Sequence, residues 1–495
     1  MIGGAGGSPV GSAGERPALP ADLSAVRHVH LVAIAGVGMA ALAGMLKQRG
    51  LRVTGSDEKI YPPMSTLLER LGIAVLEGFR PDNLTPRPDL VVIGNKVSRP
   101  NAEVQGVLAA GLPYLSLPEA LAEFFIAGRR SLVVAGTHGK TTSTAMLAWV
   151  LEQAGRDPSL MVGGESLDFG GNFKLGGGEF IVVEGDEYDS AFFDKGPKFL
   201  HYRPAAVILT AVEFDHADIY RDLAAVKAAF RRLVDLLPAG APLVVAQDFP
   251  HAVDVAGGAA PARVVSFGAS DTAEWSLGAL RDDAGRTAFS VRHRGRDEGE
   301  LHIKAPGRMN ALNALGVYAL ARALGLTHGE IAPGLASFSG VARRQEVAGE
   351  LGGVTVIDDF AHHPTAVAGT LSAIRQRYPQ RRLWGIFEPR SNTSRRRVFQ
   401  QDYVDALGAA DTVILGGVFR KDSDQVEAAE LFSPQQLVDD LRQRGRAARY
   451  LESADAIAAA VAGEARAGDV VVMMSNGDFG GLRGKLLTAL QSRGA

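Results

Sequence analysis

The stretch Ser131-Leu-Val-Val-Ala135-Gly136-Thr137-His138-Gly139-Lys140-Thr141-Thr142 decides how the rest of the chain is read. Its first five residues form an apolar, β-branched run that predicts a buried strand, and the Ala/Leu-rich residues to about Gln153 predict a long helix. A glycine-bearing turn between the two lets backbone N–H groups approach phosphate oxygens, and the helix N-terminus adds a favourable dipole. Lys140 would neutralise β/γ-phosphate charge, and the Thr141 hydroxyl could reach Mg²⁺. The usual loop carries another glycine where this chain has Val134, so the loop is a shortened form. The expected ATP contacts are Gly136, Thr137, His138, Gly139, Lys140, Thr141 and Thr142.

Downstream, two further strands are predicted at Phe180–Glu184 and Ala206–Thr210. Ligands of open α/β sheets gather at the carboxyl ends of strands, which puts Glu184 and His216 on the side of the phosphate loop. Glu184 opens the acidic run Glu184-Gly-Asp186-Glu187-Tyr-Asp189 and is a candidate Mg²⁺ ligand. His216, in Glu213-Phe-Asp-His216-Ala-Asp218, is less typical, because Mg²⁺ prefers oxygen; a structural or acid–base role is equally open. A β-rich, charged stretch from roughly 255 to 305 precedes a helix predicted from Asn310 to Leu324, and this second block closes near Gly340.

Two flanking blocks read in the same way. The first runs from the strand His28–Ile34 through Gly36-Val-Gly38-Met-Ala-Ala41 into a helix, with Ser56-Asp57 ending the next strand. That spacing suits the pyrophosphate of a dinucleotide, and equally any nucleoside diphosphate. The third block contains four strand-like runs, at 354–358, 383–387, 412–415 and 470–474. Asp358-Asp359-Phe-Ala-His362-His363-Pro364 crowds acids and histidines after the first of them, and Arg343-Arg344 stands at the junction before it. Arg390 and Asn392, after the second run, are placed to grip a carboxylate, whereas Arg395-Arg396-Arg397 reads most simply as a solvated helix face.

Bulk properties bound these readings. A chain of 495 residues exceeds one hydrophobic core, so roughly two to four domains are expected. A net charge of −3 gives no global basic surface, which argues against nucleic acid as a partner. There are no cysteines, which excludes disulfides, thiolate metal sites and a cysteine nucleophile. No run approaches the roughly 18 apolar residues of a membrane span, and the first 25 residues lack a signal-peptide core, so a cytoplasmic protein is expected.

Together these motifs resemble the Mur ligases, over essentially all of residues 26–495. The signatures are the phosphate loop, Glu184, His216, Asn310-Ala-Leu-Asn313, Arg343-Arg344 and Asp358. Tyr61-Pro-Pro-Met-Ser-Thr-Leu-Leu-Glu69, Glu213–Asp218, Asp359–Thr365 and Glu388-Pro-Arg-Ser-Asn-Thr393 look most like the recycling branch. That branch attaches a salvaged cell-wall tripeptide, L-alanyl-γ-D-glutamyl-meso-diaminopimelate, to UDP-N-acetylmuramate.

The resemblance implies an α/β protein of three domains: Rossmann-like, P-loop ATPase-like and Rossmann-like. The Gly-, Ala- and Pro-rich composition of residues 1–25 predicts a disordered leader, and the resemblance implies a UDP-sugar domain over 26–129, an ATP domain over 130–341 and a peptide domain over 342–495. It assigns Gly36, Gly38, Ser56 and Asp57 to the UDP sugar, and Lys140, Glu184 and His216 to catalysis. Thr141, Glu184 and His216 would hold the metal. Asn310, Asn313, Arg344 and Asp358 would touch the nucleotide, and His362, His363, Arg390 and Asn392 the peptide. ATP and Mg²⁺ are the implied cofactors, and a monomer or weak homo-oligomer is expected. Met309 stands where close relatives carry histidine beside the first of those asparagines. Two rival readings are a ligase adding L-alanine to the same sugar, and an NAD-dependent oxidoreductase built on the first block.

Overall fold

The computed structural model describes residues 16–61, 64–258, 262–283, 285–419 and 430–493. Residues 1–15 of the expected leader, and Pro62-Pro63 of the Tyr61–Glu69 motif, lie outside them. Within the leader, Leu23–Ala25 forms a single 3₁₀ turn capped by Asp22, and Arg16 pairs with Glu119 at 3.0 Å, so part of that segment has definite structure. The chain divides into two compact units, Met1–Phe124 with Ser190–Lys195, and Phe125–Asp189 with Gly196–Ala495.

The first unit follows the predicted alternation: β1 (His28–Val32), α1 (Val37–Gln48), β2 (Arg52–Asp57), α2 (Met64–Arg70), β3 (Val75–Glu77), β4 (Leu90–Ile93), α3 (Ala102–Ala109), β5 (Tyr114–Ser116) and α4 (Leu117–Leu121). The strands order as β3-β2-β1-β4-β5, all parallel. Strands covered on both faces must be apolar throughout, and every residue of β1 and β4 is buried. The two exceptions within β1 are satisfied in place, His28 by a 2.9 Å contact with Thr54 Oγ1. The fully buried His30 contacts Thr54 Oγ1 (2.8 Å) and Glu103 Oε1 (2.7 Å), and Asn83 donates to the other Glu103 oxygen (2.9 Å).

The second unit holds two sheets. The larger is built from β6 (Arg130–Ala135), α5 (Lys140–Gln153), β7 (Ser159–Ser166), β8 (Gly171–Lys174) and β9 (Phe180–Gly185). After a separate two-strand ribbon, β10 (Asp189–Ala191) with β11 (Asp194–Pro197), whose residues Ser190–Lys195 are counted with the first unit, come β12 (Pro204–Leu209), α6 (Leu223–Val234), β13 (Pro242–Ala246) and α7 (Pro250–Ala256). A meander of β14 (Arg263–Gly268), β15 (Trp275–Asp283), β16 (Arg286–His293) and β17 (Arg296–Ile303) leads to α8 (Arg308–Ala323) and α9 (His328–Ser337). The ten strands order as β17-β16-β15-β14-β13-β12-β6-β9-β7-β8. The carboxyl ends of β9 and β12 therefore flank the phosphate loop that follows β6.

Helices α5, α8 and α9 bury Leu147, Leu151, Leu315, Leu320 and Leu335 against this sheet. At about 1.5–3 kcal/mol for each such side chain, that packing rather than helix propensity holds α5 in place. β7, β8 and β13 were not separated by sequence patterning.

The smaller sheet comprises β18 (Glu346–Leu351), β19 (Val354–Asp359), α10 (Pro364–Arg377), β20 (Leu383–Phe387), α11 (Gln400–Leu407), β21 (Thr412–Leu415), α12 (Pro434–Gln443), β22 (Ala447–Tyr450), α13 (Ala454–Glu464), β23 (Val470–Met474) and α14 (Leu482–Arg493). Its order is β18-β19-β23-β20-β21-β22, parallel except for β18. The four predicted strands are its buried centre. The two edge strands, β18 and β22, carry charged residues and escaped the apolar-run criterion. Among the described residues no helix is long and apolar enough to cross a membrane.

Candidate active site

Lys140 begins α5 directly after Gly139, which adopts φ +77° as the N-cap. That positive φ favours glycine, and a Cβ at Gly139 would also stand 2.6 Å from Asn313 Oδ1 on α8. The Lys140 ammonium donates to Gly136 O (2.6 Å) and to both oxygens of Glu187 (2.8 and 3.0 Å). Burial works against its charge, but Glu187 and then Asp186 override that and hold the pKa above its ordinary value. Burial would likewise raise Glu187, yet Lys140 and then His216 bring its carboxyl down to about 2. His216 lies 3.4 Å from Glu187. Despite its burial, that carboxylate lifts the imidazole to about 9.

Glu187 is thus the hub between two predicted site residues, although sequence reading quoted it without a role. The available signal was its position in the acidic run after β9. What was missing was that the chain turns back there and aims Glu187, not only Glu184, at Lys140.

Glu184 and Thr141 meet beside this pair. The Thr141 hydroxyl donates to Glu184 Oε1 (2.9 Å), and Gly163 N donates to Oε2 (2.7 Å). Burial and the neighbouring Asp186 push the Glu184 carboxyl above its ordinary range, opposed by Lys140. Arg344, from the junction before the third block, donates to Thr141 Oγ1 (3.1 Å) and lies over the Phe360 ring. Lys140, Thr141, Glu184, His216 and Arg344 therefore share one site.

Asp358 goes elsewhere. It is buried on β19 and pairs with Arg343 (3.3 Å) and Arg483 (3.4 Å), while its neighbour Asp359 accepts from Gln345 N and Ala361 N. Successive strand residues face opposite ways, so only one of the two acids can point toward Arg344, and it is Asp359.

A small cavity of about 20 Å³ adjoins the loop, lined by His138, Phe249, Phe267, Met309, Leu312 and Asn313 among others. Asn313 lines it, whereas Asn310 turns to Pro306 O (2.9 Å) and Gln345 (3.1 Å).

The four peptide candidates separate. Segment Glu213–Asp218 is clamped by the third block at five points. Thr365 Oγ1 donates to Glu213 (3.1 Å), and His363 Nε2 approaches Phe214 O (3.2 Å). His362 stands 3.8 Å from Asp215, Ala217 N donates to Thr393 Oγ1 (3.2 Å), and Asn392 donates to Asp218 (2.6 Å). His216, inside this clamp, holds φ +52°, a strained backbone for a non-glycine residue. Arg390 is the candidate outside the clamp, with its guanidinium 3.9 Å from the Phe419 ring centroid. Arg395, expected on a solvated helix face, is buried: only 3% exposed, it donates to Asn392 (2.8 Å) and to the carbonyl of Phe419 (3.3 Å). The run of three arginines looked uniform, but the turn at Ser391–Ser394 points its first member inward.

In the first unit, Gly36 is the N-cap of α1, and Asp57 accepts from Ala35 N (2.9 Å), holding the glycine turn from behind. Ser56 is fully buried, and among the described residues its hydroxyl has no hydrogen-bond partner.

Three family models match the chain: Mur ligase family, catalytic domain (residues 28–129), Mur ligase middle domain (134–321) and Mur ligase, glutamate ligase domain (343–477). The chain is 39% identical over 467 residues to the UDP-N-acetylmuramate–L-alanyl-gamma-D-glutamyl-meso-2,6-diaminoheptandioate ligase of Escherichia coli (strain K12), covering 94% of this chain and 98% of that one. A murein peptide ligase from Psychrobacter arcticus matches in structure with TM-score 0.70 and 34% identity, over 94% of this chain and 99% of its own. UDP-N-acetylmuramate-alanine ligase MurC from Thermotoga maritima matches with TM-score 0.77 and 25% identity, over 94% and 99%.

Proposed function

The chain belongs to the Mur ligase family, and on that premise we propose that it joins L-alanyl-γ-D-glutamyl-meso-diaminopimelate to UDP-N-acetylmuramate with ATP, in the cytoplasm. The observation that carries the ATP-dependent step is the convergence on the phosphate loop of Lys140, Thr141 and Glu184 from the second block with Arg344 from the third. The choice of acceptor rests on the likeness to the tripeptide-adding relative. The three-domain division at about residues 26–129, 130–341 and 342–495 is supported by the spans of the three family models. We assign the UDP moiety to Gly36, Gly38, Ser56 and Asp57 of the first.

The donor set fits Mg²⁺. The Thr141 hydroxyl and the Glu184 carboxylate are both oxygen ligands, and burial with Asp186 makes the Glu184 site short of positive charge. His216, which Glu187 keeps protonated, would join them only after giving up that proton. When bound there, Mg²⁺ would offset the negative charge of the transferring phosphoryl group.

In the proposed reaction the carboxylate oxygen of UDP-N-acetylmuramate attacks the γ-phosphorus, the bond to the bridging oxygen breaks, and ADP leaves. The peptide amine then attacks the acyl phosphate carbonyl, loses a proton and expels phosphate. Lys140, kept cationic by Glu187, would exchange that carboxylate for phosphate oxygens and stabilise the charge that spreads during transfer. Arg344 would add a second cation and, with the clamp on Glu213–Asp218, exclude water from the reactive intermediate.

A second reading, addition of L-alanine, is favoured by the TM-score of 0.77 to the alanine-adding enzyme. ADP release measured with UDP-N-acetylmuramate and either acceptor decides between them. The proposal expects turnover with tripeptide, little with L-alanine, and loss of both steps in Lys140→Ala. ADP release in Lys140→Ala at near wild-type rate would refute the assignment of the loop.

A further inference from the structure

We propose that His138, Glu213 and His363 form a binding site for Zn²⁺, distinct from the Thr141–Glu184 site, that ties the third block to the second. Two imidazoles and one carboxylate bring their ligand atoms within 4.8 Å of one another. That donor set suits borderline-soft divalent ions rather than Mg²⁺. His138 belongs to the phosphate loop and Glu213 to the segment after β12, whereas His363 precedes α10 in the third block. A tetrahedral zinc with ligands at about 2 Å keeps them roughly 3.3 Å apart. His363 Nδ1 stands 3.8 Å from Glu213 Oε2, and His138 Nε2 is in direct contact with that same oxygen. Small side-chain rotations would open a position for the ion, and water would complete the tetrahedron.

The surroundings are those of a supported ligand set. His363 Nε2 faces Phe214 O, so the ring carries its proton there and turns the Nδ1 lone pair toward Glu213 and His138. Thr365 Oγ1 donates to Glu213 Oε1, which orients Oε2 toward the two rings. Both histidines are at least nine-tenths buried. Zinc would replace the proton between His138 and Glu213, releasing it to solvent. It would also take the lone pair on which Thr365 N now donates at 3.3 Å.

The proposal stands apart from the ligase reading and its test does not read catalysis. Zn²⁺ is titrated into the full chain, in millimolar Mg²⁺, against a chromophoric zinc chelator. One zinc should bind per chain with at least micromolar affinity. His363→Gln and Glu213→Gln should each abolish it, and Thr365→Val, which leaves all three ligands in place, should weaken it roughly 10–100-fold. His216→Gln should leave it unchanged. Co²⁺ in place of zinc should give the intense visible absorption of a four-coordinate ion, lost in His363→Gln. Absence of micromolar binding, or binding lost in His216→Gln and kept in His363→Gln, overturns the proposal.

Discussion

Acidification from about pH 7 to about pH 5 should loosen the clamp that the third block places on Glu213–Asp218, and His363 sets the size of the effect. In the closed arrangement burial, and then the neighbouring His138, depress His363 from its ordinary value near 6.5 to about 4. Glu213 and Asp215 face it and oppose the depression, and His362 adds to it. The Phe399 ring, 4.9 Å away, keeps water out. When the clamp opens, His363 returns to solvent and regains its ordinary proton affinity.

The open form therefore binds more protons than the closed one between about pH 4 and 6.5. Stability of the closed form consequently rises with pH and is lost as pH falls through that window. A shift of this size corresponds to roughly 3 kcal/mol in all, of which roughly 2 kcal/mol falls between about pH 7 and pH 5. Glu213 and Asp215 are both held below their ordinary carboxylate range, so their own losses begin only at more acidic pH.

Hydrogen exchange of the amides of residues 213–218, corrected for the intrinsic pH dependence of exchange, measures the opening directly. It should report opening about 20-fold more frequent at the lower pH. His363→Gln, which can still donate to Phe214 O, should flatten the profile. An unchanged opening free energy across the range, or the same slope in His363→Gln, would refute the reasoning.

Three other outcomes follow from the geometry. Glu187→Gln leaves the buried Lys140 and His216 without their shared countercharge, and should cost about 3 kcal/mol in thermal or denaturant unfolding as well as most of the ATP-dependent turnover. Gly163→Ala puts a Cβ 2.9 Å from Glu184 Oε2; the carboxylate must move, so the Mg²⁺ concentration needed for half-maximal turnover should rise while the KM for the UDP sugar stays put. Asp469→Asn weakens a buried carboxylate that accepts from Arg382, Arg466 N and Trp384 Nε1 (3.0 Å), and should destabilise the third block by about 1–3 kcal/mol without altering substrate affinity.

Much of the site was legible because its residues sit at strand ends. Gly139, Lys140 and Thr141 follow an apolar run and precede a helix, and Glu184 ends another apolar run. Parallel topology then carries those ends to one side of a sheet whatever the loops do. The same rule could not separate Asp358 from Asp359. Adjacent strand residues face opposite ways, and the composition of a loop does not say which acid faces which arginine. It also treated Arg395 as one of three solvated neighbours, although a turn of two serines buries it.

The α/β class, the succession of three nucleotide-fold blocks and the phosphate-handling chemistry of Lys140 were all readable from the order of residues. These depend on patterns a few residues long: strand, glycine turn and helix N-terminus. The folded chain was needed to show that Glu187 pairs with Lys140 and His216, and that Arg344 reaches Thr141 across 203 positions of chain. It alone brought His138, Glu213 and His363 together. Those meetings depend on how the third block packs against the second. That packing is settled by the summed fit of many side chains distant in sequence, which no local pattern records.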